Sequence, residues 1–227
     1  MFNRGAKRSP LILNFEYHGN TTKTADATSF TFGGASIGVP NAERMVVVAW
    51  QGLTTALPSW SATIGGIGCT ELGGDAYFLN GAAGGVFYAK VPTGNTADIV
   101  LNFSGNTFIN CSIQVYSFNT KATGRVDQVQ KLSGSSDLVT YAMNNVQCKA
   151  GGVVIYSHAG ASTKSRSSTW NGVDSAVETY DSTVETRRGS SGYVLTTEDS
   201  TARDLTCTVA SGGDRGEAQC VSFEFID

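Results

Sequence analysis

Two short stretches about half a chain apart share a pattern that limits the folds open to this chain. SATIGGIGCTEL and STWNGVDSAVE each place two turn-forming residues between large or branched apolar residues. Gly65-Gly66 and Asn171-Gly172 supply the positive φ angles that a two-residue type I′ turn requires. Both stretches therefore predict tight β-hairpins.

Other landmarks recur in the same order along the chain. Thr63 corresponds to Thr169 at a shift of 106 residues, and the run that starts at Val46 corresponds to the run that starts at Val153, at a shift of 107. Shifts that drift by only one or two residues are typical of a duplicated unit with small insertions in its loops. The sequence therefore predicts an internal duplication.

Composition indicates strands and excludes several classes of protein. Charged residues make up 15% of the chain and Gly contributes 27 residues, a balance that favours strands joined by tight turns over charged amphipathic helices. A net charge of −3 argues against a nucleic-acid-binding domain, which is normally basic. No apolar run reaches the roughly 18 to 20 residues that span a bilayer. We expect no nucleic-acid partner and no membrane insertion.

Short strands with turn signals every 8 to 12 residues are typical of a β-sandwich. We predict an all-β chain of two tandem, antiparallel, jelly-roll-like sandwiches. Its parts are an N-terminal basic arm (1–10), a first copy (11–122) and a second copy (123–227). The continuously apolar run VVVAW predicts a strand that is covered on both faces.

The five cysteines are Cys69, Cys111, Cys148, Cys207 and Cys220. An odd number without a Cys-x-x-Cys motif argues against a zinc site. Buried free thiols are the ordinary state of cysteines in proteins made in the cytoplasm. Cys207 and Cys220 lie on strands that we expect to form a hairpin. The sequence therefore leaves open whether a disulfide joins them.

One short motif is also found in serine hydrolases. Residues 34–38, GASIG, match the G-x-S-x-G pattern of hydrolases, which works only on a sharp turn from a strand into a helix. Here Val39-Pro40 and a further strand follow, and only His18 and His158 are available as a base. We therefore expect no enzymatic activity from Ser36, and no spacing of metal ligands predicts a cofactor.

Binding residues are predicted in loops at equivalent edges of the two copies, where recognition usually occurs on a rigid scaffold. Trp60 stands at a step from loop to strand, and Lys164 and Arg166 lie among Ser and Thr in the matching loop. These three residues are the candidates for contact with a glycan or a partner. Trp50 is expected to be a core residue, and Trp170 to be a core residue or half-buried where it packs over its hairpin.

The stretches SFTFGGASIGVPNAERMVVVAW, SATIGGIGCTEL, VFYAKVPTGNTADIVLNFSGN and CSIQVYSF resemble a tandem β-sandwich protein encoded among the virion genes of tailed bacteriophages. The resemblance covers most of the first copy and less of the second. It implies a structural or accessory virion protein, such as a head-decoration, collar or fibre subunit, that forms homo-oligomers and contacts capsid, collar or tail proteins. The alternative is a carbohydrate-binding module or adhesin that recognises host surface polysaccharide.

A basic segment precedes the first predicted strand. Arg4, Lys7 and Arg8 lie within residues 1–9, which contain no acid. Such a segment is either an anchor on an acidic neighbour or a frayed terminus. In a virion protein we expect these three side chains to anchor the chain on the particle.

Overall fold

A computed structural model describes residues 14–54, 59–77, 82–105, 107–119, 132–133, 140–161, 168–173, 175–182, 187–196, 200–209 and 215–223. Within these ranges all regular structure is β-strand, with no helix. An all-β chain was predicted, and this prediction is confirmed. No helix of the described residues is long and apolar enough to cross a membrane.

Nine strands are described in the first half of the chain. They are β1 (Glu16–Ala27), β2 (Ser29–Ser36), β3 (Arg44–Thr54), β4 (Ser59–Ile64), β5 (Ile67–Gly68), β6 (Thr70–Tyr77), β7 (Ala82–Lys90), β8 (Thr96–Ser104) and β9 (Phe108–Asn119).

Eight strands are described in the second half. They are β10 (Leu132–Ser133), β11 (Thr140–Cys148), β12 (Val153–Ala161), β13 (Ser168–Asn171), β14 (Ser175–Ser182), β15 (Arg187–Leu195), β16 (Ser200–Val209) and β17 (Arg215–Phe223).

Each half contributes one five-stranded sheet and one smaller sheet, all antiparallel. In the first half the orders are β1-β9-β3-β7-β6, here called the first central sheet, and β2-β8-β4-β5, the first outer sheet. In the second half they are β10-β17-β12-β15-β14, the second central sheet, and β11-β16-β13, the second outer sheet. Apart from β5, each strand described in one half has a counterpart with equivalent neighbours in the other half.

The two central sheets stack face to face. One buried apolar cluster contains Val47 and Phe118 from the first central sheet together with Ile155 and Phe223 from the second. The rings of Phe118 and Phe223 meet edge to face at 5.4 Å between centroids. In each half, a further apolar cluster is packed between the central sheet and the outer sheet. The described sheets therefore form four layers, with the central sheets inside.

Burial along the strands follows from this layering. Every residue of β3 is buried, because Val46 and Val48 face the first outer sheet while Val47 and Ala49 face the second central sheet. By contrast, β8 alternates between buried and exposed residues, since only one face of an outer sheet is covered. The prediction of two-sided burial for VVVAW is confirmed.

A polar cluster joins the two central sheets inside the apolar layer. The Gln51 amide nitrogen donates to Gln114 Oε1 at 3.0 Å and to Ser157 Oγ at 2.6 Å, and Gln114 returns a hydrogen bond to Gln51 Oε1 at 2.9 Å. All three side chains are buried. Because a buried polar group is costly when it lacks a partner, this cluster favours one alignment of the two halves over others.

A buried arginine fastens the loops next to β3. Arg44 is completely buried, and its guanidinium donates to the carbonyl oxygens of Gly38, Val91, Thr93 and Gly94 at 2.6 to 2.8 Å. Desolvation lowers the pKa of the Arg44 guanidinium. Backbone carbonyls take the place of a carboxylate partner at this site, so the side chain fixes loop conformation.

The second predicted hairpin is wrong. Gly172 has a φ of 81°, but Asn171 keeps its place in β13, where it pairs with Thr206 of β16. The chain then leaves the second outer sheet, and β14 joins the second central sheet. One residue with positive φ redirects the strand here, whereas a type I′ hairpin needs two.

The hairpin expected to contain two cysteines is also wrong. Cys207 lies in β16 and Cys220 in β17, and these strands belong to different sheets. Both side chains are buried free thiols that face the same apolar cluster. The question of a bridge between them, open from the sequence, is therefore answered by two separate thiols.

The sequence shift of 107 residues matches Val46 with Val153, but in the structure these two side chains face different layers. Val46 faces the first outer sheet, whereas Val153 faces the central layer. Val154 is the residue that faces the second outer sheet. Since a slip of one residue reverses every side chain of a strand, a match by face pairs Val46 with Val154.

Replacing Gln51 by Ala tests the polar cluster. We expect Gln51→Ala to lower the free energy of unfolding by about 2 kcal/mol, because Gln114 and Ser157 lose hydrogen-bond partners in a buried layer. Gln147→Ala is the matched control, since Gln147 is exposed on β11, and it should change stability by less than about 0.5 kcal/mol. Urea denaturation measures both, and equal values would contradict a special role for Gln51.

Candidate functional site

The site is built on the hairpin that joins β4 to β5. Gly65 and Gly66 have φ angles of 59° and 79°, and Ile64 pairs with Ile67 across them. Positive φ at both central residues is the type I′ geometry, which matches the twist of the flanking strands. The first predicted hairpin is confirmed, and it joins β4 to β5, the edge strand of the first outer sheet.

Trp60 is the one predicted binding residue that lies among the described residues. It occupies the second position of β4 and is half-buried. Its ring lies 5.2 Å from the Trp50 ring and 5.7 Å from the Phe87 ring, measured between centroids. Packing therefore fixes the indole in place while part of it stays accessible, which lowers the entropy lost when a ligand binds.

A glycine on the neighbouring sheet makes room for these indoles. A Cβ atom at Gly85 of β7 would meet Trp50 Nε1 closely and would lie 3.1 Å from Trp60 Cζ2. Real Cβ atoms rarely approach other atoms so closely, so a larger residue here must displace a ring. The absence of a side chain at Gly85 is what lets both indoles pack against β7.

Gly85→Ala tests this packing. We expect the added methyl group to push on the two indoles and to lower the free energy of unfolding by about 1 to 3 kcal/mol, as overpacking does. Gly68→Ala is the control: a Cβ at Gly68 meets nothing within 4 Å, so stability should stay equal or rise by about 0.4 to 1 kcal/mol. Urea denaturation followed by tryptophan fluorescence reports both, and an unperturbed Gly85→Ala protein would contradict the packing.

Two clefts flank Trp60. The first has a volume of about 340 Å³ and opens between the β4–β5 hairpin and the edge of the first central sheet. Its lining residues are Trp60, Ser61, Ala62, Thr63, Gly68, Cys69, Glu71 and Phe87. A cleft of this size with an aromatic wall and a few polar groups fits the usual description of a ligand site.

The second cleft lies where β4 and β8 run side by side. It has a volume of about 250 Å³ and is lined by Ser59, Trp60, Ser61, Asn102, Phe103 and Ser104. Apart from the indole, its polar side chains are hydroxyls and an amide, each of which can both donate and accept hydrogen bonds. Trp60 and Ser61 line both clefts. Because Trp60 pairs with the buried Phe103 and Ser61 with the exposed Asn102, the indole and the polar side chains of the second cleft extend from opposite faces of the sheet.

The thiol in the first cleft is a weak nucleophile. Burial raises the pKa of Cys69 to about 12, and its sulfur lies 3.8 Å from the carbonyl oxygen of Ile67. Because the thiolate is the reactive form of cysteine, the neutral thiol contributes polarity and shape to this cleft.

Other predicted binding residues lie outside the described residues. This applies to Lys164 and Arg166, the loop candidates, and to Arg4, Lys7 and Arg8, the basic arm. The roles expected of these five residues therefore stay predictions.

The remaining tryptophans are core residues, as predicted. Trp50 is 1% exposed and lies in the cluster under the first outer sheet. Trp170 is 8% exposed, its ring lies 4.0 Å from the Tyr156 ring, and its Nε1 donates to Ser190 Oγ at 2.8 Å. The second half thus buries its tryptophan where the first half leaves Trp60 partly open.

The candidate hydrolase residues come from three strands: His18 from β1, Ser36 from β2 and His158 from β12. Ser36 is exposed at the end of β2 and is followed by irregular chain, in which Gly38 has a φ of 81°. His18 Nε2 lies 2.7 Å from Ser117 Oγ and 3.9 Å from Glu16 Oε2, and burial lowers the pKa of His18. His158 is completely buried in β12. The hydrogen bond that the structure gives His18 is therefore to Ser117.

The polar residues of the second cleft were not predicted from the sequence. Ser59, Ser61, Asn102 and Ser104 come from strands about 40 residues apart, and only the register of β4 with β8 brings them together. Alternation along β8 was the available signal, since it separates Asn102 and Ser104 from the inward-facing apolar residues.

Comparison with known proteins does not assign a function to this site. No protein-family model matches the chain, and no curated protein matches it. The strand order, the residues around Trp60 and the resemblance seen in the sequence are therefore the basis for a functional proposal.

Proposed function

We propose that this chain is a non-enzymatic structural or accessory protein of a bacteriophage particle, either a decoration, a collar or a fibre subunit. It presents β-sandwich surfaces for particle assembly, is located in the virion, forms homo-oligomers and contacts capsid, collar or tail proteins. It uses no cofactor, binds no nucleic acid and inserts into no membrane. The sequence resemblance is what points to a virion.

The proposal includes two tandem jelly-roll-like sandwiches derived from an internal duplication. Nested pairing supports it: β1 pairs with β9, β2 with β8, β3 with β7 and β4 with β5. Folding one antiparallel ribbon over itself produces such nesting and sends consecutive strands to opposite sheets, as in jelly rolls. The second half repeats three of these pairs, β10 with β17, β11 with β16 and β12 with β15.

Burial of both faces of the middle strands of the central sheets, such as β3 and β9, is the observation that carries the assembly role. Because each half covers the other's central sheet, the outer sheets and the strand edges are the surfaces left for other proteins. Jelly rolls recur in viral capsid proteins, which supports the proposal by fold analogy alone. In a symmetric particle many copies would add weak contacts through effective concentration.

Particle incorporation tests the proposed function and the basic arm together. Gradient-purified particles from a lysate of the phage that carries the gene should contain the chain on an immunoblot. We expect the triple variant Arg4→Ala, Lys7→Ala, Arg8→Ala to reduce incorporation, because a positively charged arm attracts an acidic neighbour.

The matched control removes the same type of charge elsewhere. The double variant Lys23→Ala, Lys149→Ala removes two exposed lysines that have no assigned binding role and should leave incorporation unchanged. Absence of the wild-type chain from particles would contradict the virion role, whereas equal incorporation of all variants would contradict only the anchoring by the arm.

A second function, carbohydrate binding, is favoured by the two clefts at Trp60. The larger cleft combines an indole held by packing with the polar residues Ser61, Thr63 and Glu71, and a sugar ring needs an aromatic surface to stack on and hydrogen-bonding groups at its edge. Lectin domains also use jelly rolls. The two functions are compatible, because a virion protein can bind polysaccharide on its host.

A glycan array with three proteins tests this second function. Wild type should bind at least one glycan, Trp60→Ala should lose that signal, and Trp60→Phe should retain part of it because an aromatic face remains. Urea denaturation of each variant checks that the packing with Trp50 survives. A wild-type protein that binds no glycan would contradict carbohydrate binding.

A further inference from the structure

A histidine lies where the ladder between β1 and β9 is interrupted. Tyr17 pairs with Tyr116 and Gly19 pairs with Val115, so His18 is the extra residue of a β-bulge. A bulge disrupts the ladder locally and re-aims the side chain of the extra residue. In the described sheet β1 is an edge strand. Its attachment at the bulge therefore depends on side-chain contacts as well as on the ladder.

The His18 side chain joins three elements at this point. Its Nε2 shares a hydrogen bond with Ser117 Oγ of β9 at 2.7 Å, and the side chain is only 7% exposed. The loop of residues 37–43, which follows β2, packs against the same ring. A Cβ atom at Gly38 would lie 2.8 Å from His18 Cε1 and 3.0 Å from Ser117 Oγ. The imidazole thus connects β1, β9 and this loop.

A buried cation and an exposed carboxylate act on this imidazole. The Arg44 guanidinium donates to the carbonyl oxygen of Gly38 at 2.6 Å, and Glu16 Oε2 lies 3.9 Å from His18 Nε2. Burial lowers the pKa of His18, Glu16 raises it and Arg44 lowers it, with a net shift downward from the ordinary value of 6.5. Among the described residues, Arg44 of β3 and Glu16 of β1 are the charged groups that shift this pKa.

The lowered pKa sets the direction of the pH effect. Well above pH 6.5 the imidazole is neutral in the closed and in the opened site, so it adds no pH dependence. As the pH falls below 6.5, the opened site takes up a proton that the closed site resists. Local opening therefore becomes easier in acid.

Packing on the opposite face of the strand limits the extent of this opening. Phe15 and Tyr17 pack on the Tyr116 ring, with centroids 5.8 and 5.3 Å away, and all three belong to the apolar layer between the central sheets. None of these side chains changes charge between pH 5 and 8. They keep β1 in place while the bulge and the loop open.

We propose that His18 is an acid-sensitive switch: on acidification the charged imidazole loosens the contact between the β1 bulge, Ser117 and the loop of residues 37–43. The inference goes beyond the functions proposed above, because it rests only on the contacts of His18. The other histidine of the chain, His158, lies in β12 of the second central sheet. Measurements local to β1 therefore report on His18.

NMR titration of the assigned His18 Cε1 proton tests the charge step. We expect a midpoint below 6.5 in wild type. Glu16→Gln should move the midpoint further down, because the carboxylate favours the charged imidazole. Asp26→Asn is the matched control, since Asp26 is an exposed carboxylate near the other end of β1, and it should leave the midpoint unchanged. A wild-type midpoint at or above 6.5 would overturn the inference.

Hydrogen–deuterium exchange with mass spectrometry tests the loosening. Wild type and His18→Gln are compared at the same pH, about 7.5 and then about 5, so that intrinsic exchange rates cancel. We expect peptides that cover residues 16–22 and 36–44 to lose more protection in acid in wild type, because Gln stays neutral and can still hydrogen-bond to Ser117. Peptides from β12 should respond alike in both proteins.

Equal loss of protection around the bulge in both proteins would overturn the inference. If His18→Gln does not fold, the titrations of wild type and Glu16→Gln decide the case, since neither alters His18. A Glu16→Gln midpoint equal to or above that of wild type would also overturn it, because the carboxylate would then not act on the imidazole.

Discussion

The contact between the two central sheets is the constraint on which the rest of the structure depends. A strand that is covered on both faces needs apolar side chains in both directions, and β3 meets this need within eleven consecutive buried residues. Burial of apolar surface stabilises by about 25 cal/mol per Å², so the two halves stabilise each other through this layer. Apolar packing alone does not fix the position of one sheet along the other. The directional hydrogen bonds of Gln51, Gln114 and Ser157 favour one alignment.

This constraint explains which parts of the fold the sequence could predict. The continuous apolar run at Val46 predicted a strand that is covered on both faces, because local composition reports two-sided burial directly. Gly65-Gly66 predicted a hairpin, since two glycines satisfy a local geometric demand. At Gly172 the same local signal failed, because the backbone of Asp204 lies against that glycine and the strand pairs with β16 instead. Long-range pairing decided the outcome there.

Part of the candidate site could likewise be predicted from the sequence, and part could not. Trp60 could be chosen from the sequence, because a tryptophan at the start of a strand is a local feature. Its polar companions could not, since Asn102 reaches Ser61 only through the register of β4 with β8. Nested pairing also separates consecutive strands, so Cys207 and Cys220 lie in different sheets although they are close in sequence. Sequence proximity is a poor guide to contact in such a fold.

The two halves share a strand order and differ in what they expose. The first half leaves Trp60 half-open beside uncharged hydroxyls, whereas the second buries Trp170, whose Nε1 donates to Ser190. A recognition surface built on a partly open tryptophan therefore belongs to the first half, and each chain would carry one such surface. Affinity for a repetitive polysaccharide would then come from several chains held side by side, which is the arrangement that assembly into a particle provides. Structural and recognition roles support each other on this basis.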